Sequence, residues 1–372
     1  MNQSRVYATL EDRLLVVQFD GGEWTTTERL RGHDLECVAV SSDRPGRVFA
    51  GTVESGIQRT TDGGFASDAV ETSSGSSDGD DSWERVAPEI EDRVTALAVC
   101  PHDPDRIWAG TEPSTIYRSE DGGETWTERP GLTDLPAADQ WSFPPRPDTH
   151  HVQWIEVDPS DPERLAVAIE AGALVHTDDG GETWRDRTEG APGSDASGGA
   201  GSDPRERTGA APRDSHTLAT HPDAPGRVYS AAGDGFARSE DGGETWAYPG
   251  GPGHRYAWGM AVPRADPDTV VVSAASGARS AHSTAAAETH VYRTTTGGDA
   301  EVEWTRVTEG LPDPEGTVRS VLAAGEGERL YALNNRGLYR SDDAGASWVR
   351  APVEWPDAYE NRAPGGMAVV TV

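Results

Sequence analysis

Lysine is absent from this 372-residue sequence, so all 32 basic side chains are arginines, set against 64 acidic ones for a net charge of −32. Cysteine is nearly absent too. Cys37 and Cys100 each sit in an apolar run, too few for a disulfide framework; they read as buried reduced thiols, and the expected location is the cytoplasm. No stretch approaches the ~18 apolar residues of a membrane helix, and residues 1–12 carry no apolar run of the signal-peptide kind. Collagen-like, disulfide-stapled and membrane-spanning folds are excluded, and no membrane partner is expected. A nucleic-acid partner is excluded as well, because so negative a surface repels a polyanion.

Hydrophobic residues make up only 35% of the chain, yet 12 tryptophans supply core material. The length suits two or three domains or one large all-β domain, at roughly 100–200 residues per domain. The charge would drive strong self-repulsion in dilute buffer, whereas at 1 M salt the Debye length falls to about 3 Å and screens it. Acidic residues with arginine as sole cation resemble the proteins of organisms that accumulate molar salt. The fold is expected to loosen at low salt.

A repeat organises the chain. Ser/Thr-x-Asp-x-Gly-x-Thr-Trp occurs intact at Ser119–Trp126, Thr177–Trp184 and Ser239–Trp246, and with Ser for Thr at Ser341–Trp348. Three copies are degraded. Asp20-Gly-Gly22-Glu-Trp24 lacks the leading hydroxyl, Thr60-Thr-Asp62-Gly-Gly64 is separated from Trp83 by an insertion, and Thr294-Thr-Thr296-Gly-Gly298 has lost its aspartate. The spacing is roughly 40–60 residues, so seven units fill the chain.

Within a unit, short β-branched and aromatic runs alternate with Gly, Pro and Asp turns, as in Val94-Thr-Ala-Leu-Ala-Val99, Arg106-Ile-Trp-Ala-Gly110, Thr115-Ile-Tyr-Arg118 and Trp126-Thr-Glu-Arg129. Four antiparallel strands per unit at this period predict propeller blades around a channel. The motif lies in the turn between the third and fourth strands. Its glycines permit positive φ, its aspartate closes the turn by accepting backbone N–H bonds, and its Trp fills the seam to the neighbouring blade. Asp20, Asp62, Asp121, Asp179, Asp241 and Asp343 are accordingly read as structural. Seven of the twelve tryptophans hold the motif position.

The ends fit a latch. Arg5-Val-Tyr-Ala-Thr9, Leu14-Leu-Val-Val-Gln18 and Trp24-Thr-Thr-Thr-Glu28 read as second, third and fourth strands lacking a first, which Met367-Ala-Val-Val-Thr-Val372 supplies. The fold class is therefore an all-β, single seven-bladed propeller over residues 1–372, closed by its C-terminal strand. Insertions at 65–82 and 189–214 are polar or Gly/Ala/Ser/Asp-rich and are expected to be disordered. A third, at 131–150, carries Trp141 and Phe143 and is expected to fold over the face where blades are joined.

On these motifs the sequence resembles the BNR or Asp-box repeat propellers, a superfamily that includes sialidases, xyloglucanase-type glycosidases, the sortilin luminal domain and the photosystem II assembly factor family. The resemblance covers nearly the whole chain and implies a fold without fixing an activity, since its members range from hydrolases to binding proteins. In size the chain is closest to the assembly-factor type.

Alternation along the first strands sends Asp34/Glu36, Arg93/Thr95, His151/Gln153, Asp214/His216, Arg255/Ala257 and Thr317/Arg319 toward the channel mouth. The expected ligand-binding residues are Glu36, Arg93, His151, Gln153, His216, Arg255, Tyr256 and Arg319. Glu54, Glu112, Glu170 and Asp234 form an acidic collar on the turns between second and third strands. The aromatic anchors are Trp141, Phe143, Trp154, Tyr256 and Trp258. A sialidase-like reading would use Arg93, Arg255 and Arg319 as a carboxylate clamp with Tyr256 as nucleophile. An acid pair would draw on Asp34, Glu36 and Asp214. His150, His151, His216, His254, His282 and His290 map to one region, although adjacent His150 and His151 face opposite sides of a strand. The expected function is a non-catalytic binding or assembly scaffold, a monomer with no metal or cofactor, whose channel mouth takes a protein or carbohydrate ligand. The alternative is a sialidase-like glycoside hydrolase.

Overall fold

A computed structural model describes residues 3–64, 82–188, 209–296 and 302–372. Seven antiparallel sheets follow one another along the chain. Blade 1 comprises Ser4–Leu10, Arg13–Asp20 and Glu23–Arg29, with Met367–Thr371 as its innermost strand. Blade 2 comprises Leu35–Ser41, Arg44–Thr52, Ile57–Thr60 and Trp83–Val86. Blade 3 is Arg93–Val99, Ile107–Glu112, Ile116–Ser119 and Thr127–Arg129, and blade 4 is Val152–Val157, Leu165–Ile169, Ala173–Thr177 and Arg185–Asp186. Blade 5 has Ser215–Thr220, Val228–Ala232 and Gly235–Ser239. Blade 6 has Tyr256–Ala261, Thr269–Ala275, Thr289–Thr295 and Thr305–Val307, and blade 7 has Val321–Ala324, Leu330–Asn334, Gly337–Ser341 and Val349–Arg350. The first strands touch in sequence around the ring, the last returning to the C-terminal strand. The protein is a seven-bladed β-propeller.

The latch is an antiparallel ladder in which Ser4 faces Thr371 and Ala8 faces Met367. It is extended by Val372 N–H donating to Gln3 O (2.7 Å) and Thr9 N–H donating to Gly366 O (2.9 Å). Pairing the two ends abolishes the edge that an open ring would leave.

The core is seven seams, not one centre. Blade 1 packs on blade 2 through Tyr7, Leu14, Val16, Leu35 and Val48, and on blade 7 through Val6, Leu15, Tyr331 and Leu333. Trp108 and Ile116 of blade 3 meet Val152, Val167 and Trp184 of blade 4. Four further clusters fill the remaining seams.

The motif turns hold these seams. In blade 3 the Ser119 hydroxyl donates to Asp121 Oδ1 (2.9 Å) and accepts from Gly123 N–H (2.9 Å), while Thr125 donates its amide to Oδ1 (2.9 Å) and its hydroxyl to Oδ2 (2.7 Å). The same four bonds recur around Asp179, Asp241 and Asp343. The Thr183 hydroxyl, with the Thr183 amide and Thr177 hydroxyl, holds the Asp179 carboxyl at a pKa of about 2 against the opposing effect of burial. Asp62 keeps one bond of the set, accepting from the Thr60 hydroxyl (2.7 Å), while Gly64 N–H donates to Asp62 itself (2.8 Å) and not to the hydroxyl.

Asp20 departs from the expectation. It is exposed, is the last paired residue of its strand opposite Glu23, and the turn is closed by Gly21 and Gly22 at φ 57° and 97°. Two glycines with positive φ make a two-residue hairpin that needs no side-chain cap, so Asp20 does no structural work of the kind its relatives do. In blade 5 the fourth strand shrinks to a bridge, Arg238 and Ala247 exchanging two bonds of 2.9 and 2.8 Å. Pro249, two residues on, has no N–H with which to extend it.

The insertion at 65–82 lies outside the described residues save for Ser82. Of 189–214 only the last six are described. These rejoin the fold, Gly209 N–H donating to Trp246 O and Ala211 N–H to Arg187 O, 2.9 Å each.

Candidate functional site

The innermost strands of all seven blades line a central cavity of about 880 Å³. Its polar wall comes from a shared irregularity. In blades 2 to 6 the first strand slips register near its start, between Leu35 and Cys37, Val94 and Ala96, Val152 and Trp154, Ser215 and Thr217, and Ala257 and Met260. Each bulge leaves an extra residue out of the ladder: Glu36, Thr95, Gln153, His216 and the Trp258-Gly259 pair. Unpaired bulge residues bend away from the strand, and here all of them line the cavity. The next blade satisfies them. Thr95 donates to Val152 O (2.7 Å), Gln153 to His216 O (3.5 Å), and His216 Nδ1 to Ala257 O (2.7 Å).

Seven of the eight residues expected at the mouth line this cavity: Glu36, Arg93, His151, Gln153, His216, Tyr256 and Arg319. Arg255 does not. It is exposed, one residue before the strand begins, so Arg93, Arg255 and Arg319 form no three-arginine clamp. Arg93 is engaged by Glu36 (2.5 Å) and Glu112 (3.5 Å). Asp34 is exposed and outside the lining, as is Glu54 of the collar.

One wall is acidic and histidine-rich. Glu170, on the turn after the second strand of blade 4, is 7% exposed and accepts from His151 Nε2 at 2.9 Å. Burial pushes its pKa up, but the His151 bond and the charges of His216, His151 and Arg319 bring it below the ordinary value. Asp214 accepts from Ala171 N–H (2.9 Å), and its carboxyl is pushed up by burial. His216 is fully buried, stacked on Trp258 at 4.4 Å between ring centroids. Its Nδ1 lies 2.7 Å from Ala257 O, which can only accept, so Nδ1 carries the proton.

The adjoining wall is cationic. Arg319 is 7% exposed, with its guanidinium 4.4 Å above the Trp258 ring and its Nε donating to His282 Nδ1 (3.3 Å). Among the described residues no carboxylate pairs with it, and its Nη1 is buried without a hydrogen-bond partner. Burial lowers its pKa to about 10. Burial, with the charges of Arg319 and His216, lowers that of His282 to about 2, so His282 is neutral and its Nε2 lies 3.3 Å from the Tyr256 hydroxyl. Burial raises the Tyr256 pKa, which keeps its hydroxyl protonated.

Two insertions close over the cavity. The segment 276–289 contains a short helix, Ala278–His282, that brings Arg279 and His282 to the cavity. The 131–150 segment packs Leu132, Ala138 and Trp141 into the seam between blades 3 and 4 and turns Phe143 edge-on to His151 at 4.7 Å. Arg146 stacks on Phe143 and clamps Glu112 with two 2.7 Å bonds. Trp154 lines the cavity while its Nε1 donates to Glu156 (3.0 Å).

The six histidines do not form one cluster. His151 and His216 share Glu170, His282 serves Arg319, and His254 stacks on His290 at 4.1 Å away from the cavity lining. Glu170 and Asp214 are the residues whose weight the sequence understated. Glu170 reads as one of four equivalent collar acids; its signal is the apolar company of Ala166-Val-Ala-Ile169 before it and Ala171-Gly-Ala173 after it, which sinks that turn.

The fold and cavity define a ring-closed seven-bladed propeller with a polar central site. No protein-family model and no curated protein sequence matches this chain. Solved structures do match in fold. An ancestral GH74 enzyme superposes with a TM-score of 0.59 at 16% identity, over 85% of this chain and 38% of that one. The GH74 enzyme of Niastella koreensis gives 0.61 at 13% identity, over 95% and 54%. YCF48 bound to D1 peptide gives 0.54 at 15% identity, over 90% and 87%. The chain thus spans about half or less of the two GH74 chains but nearly all of YCF48, and identities this low establish the fold alone.

Proposed function

We propose that this propeller is a non-catalytic scaffold that binds an extended segment of a protein partner in its central cavity, with Arg319 receiving an acidic group of that segment. The observation that carries the reading is Arg319 itself: a guanidinium buried on Trp258 that, among the described residues, has a donor nitrogen unpartnered and no carboxylate in ion-pair contact. A buried arginine of this kind is costly unless a ligand completes its bonds, and stacking leaves its fork pre-oriented for a carboxylate. Phe143, Trp154 and Tyr256 supply the aromatic contacts that dominate interface energies. The solved complex of YCF48 with D1 peptide is a propeller of similar extent holding a peptide, which supports the same use here. The motif turns support kinship with Asp-box propellers, and the free thiols of Cys37 and Cys100 support a reducing cytoplasm.

The test is fluorescence-anisotropy titration in molar KCl against a library of extended peptides with and without acidic side chains. Tight binding confined to acidic members, weakened at least tenfold by Arg319→Met, supports the reading. Binding indifferent to Arg319, or turnover of fluorogenic glycosides abolished by Asp214→Asn, overturns it in favour of another ligand or of a hydrolase.

A further inference from the structure

We propose that Glu170, Asp214 and His216 form a binding site for a single divalent transition-metal ion of the Zn²⁺ type, open on one side to the central cavity. The ligand atoms of these three residues all lie within 4.8 Å of one another. His216 Nε2 is 3.6 Å from Asp214 Oδ1 and 3.9 Å from Glu170 Oε1. Those separations are too long for hydrogen bonds, and His216 Nε2 is buried with no hydrogen-bond partner among the described residues. They fit ligands around one ion, since two donors each about 2.1 Å from a tetrahedral metal stand roughly 3.4 Å apart.

The second observation is how each donor is held. The Ala257 carbonyl fixes the proton on Nδ1 of His216, so the lone pair of Nε2 points between the two carboxylates. Glu170 is oriented by His151 Nε2 at 2.9 Å through its other oxygen, and Asp214 by the Ala171 amide at 2.9 Å. Outer partners that orient every ligand are characteristic of built metal sites. A neutral imidazole with two carboxylates suits Zn²⁺, Mn²⁺, Fe²⁺ or Co²⁺; Mg²⁺ and Ca²⁺ want more oxygen ligands than are gathered here. Three protein ligands leave at least one coordination position, facing the cavity from the half-exposed Asp214 side.

The inference does not depend on peptide binding, because peptide titrations in the presence of a chelator separate the two. The test is equilibrium dialysis of the full chain against Zn²⁺, with 10 mM Mg²⁺ present to occupy weak surface carboxylates, paired with the visible absorption of the Co²⁺ form. One ion per chain, a ligand-field band from Co²⁺, and at least a tenfold loss of affinity in both Glu170→Gln and Asp214→Asn are expected. Asp214→Asn keeps size and hydrogen-bonding capacity, so it decides the matter if His216→Ala fails to fold. Zn²⁺ uptake unchanged in both carboxamide variants, or no uptake beyond that of the Mg²⁺-saturated surface, overturns the site.

Discussion

His176 offers the most quantitative test of how the seams are built. It lies on the third strand of blade 4, 3% exposed, with Nε2 lacking a hydrogen-bond partner among the described residues. Gly243 of the blade 5 motif turn comes so close that a Cβ there would stand 1.9 Å from the imidazole. Burial, with the charges of Arg187 and Arg164 outweighing those of Asp178 and Asp241, lowers its pKa from 6.5 to about 4. The unfolded chain therefore binds more protons at this position between about pH 6.5 and pH 4, and stability falls as pH falls through that window. At 1.36 kcal/mol per pH unit the contribution lost is about 3 kcal/mol, complete near pH 4 and absent above pH 6.5. The assay is urea denaturation at constant molar KCl from pH 7.5 to 4, followed by tryptophan fluorescence, for the wild type and the non-titrating variants His176→Leu and His176→Gln. Both variants should show a flatter pH dependence than the wild type, so that their relative stability rises by about 3 kcal/mol across the window. Parallel curves for all three proteins would refute the argument, for they would mean that water reaches the ring and that the seam between blades 4 and 5 is not closed there.

Gly243→Ala should destabilise by on the order of 2–5 kcal/mol, because φ is +88° and the new methyl overlaps His176; a thermal unfolding midpoint within a degree of wild type would contradict this. Deleting residues 367–372 should convert cooperative unfolding into early loss of blade 1 and aggregation through the bared Ser4–Leu10 strand, read by sedimentation velocity; a monomeric truncation with unchanged melting would show the latch to be dispensable. Val370→Asp should give a milder version, burying a charge among Tyr7, Leu14 and Val16. Lowering salt from molar KCl to about 50 mM should loosen the fold by unscreening the net charge of −32, visible in near-ultraviolet circular dichroism; an unchanged spectrum would mean that the surface charge is well tolerated.

Much of the architecture was legible because it repeats. Seven copies of one turn signal average out the ambiguity of any single strand, and the unmatched strands at the two ends admit one economical pairing. The turn chemistry was legible wherever Ser or Thr precedes Asp. It failed at Asp20, where two consecutive glycines close a shorter hairpin on their own. At the site, period-2 alternation brought most mouth residues to the right wall. It misjudged Arg255, which precedes its strand, and Glu170, whose depth depends on the neighbouring blade.

By itself the sequence determined the number of blades, the strand order, the latch and the acidic, lysine-free surface, since each depends on local residue type and spacing. Only the tertiary structure decided which polar side chains converge. The bulges that turn Glu36, Thr95, Gln153 and His216 inward are completed by hydrogen bonds with the next blade, 41 to 63 residues away. Which charges stay unpaired at Arg319, and which acids share His216, likewise follows from ring closure, because the partners meet only when all seven seams are packed.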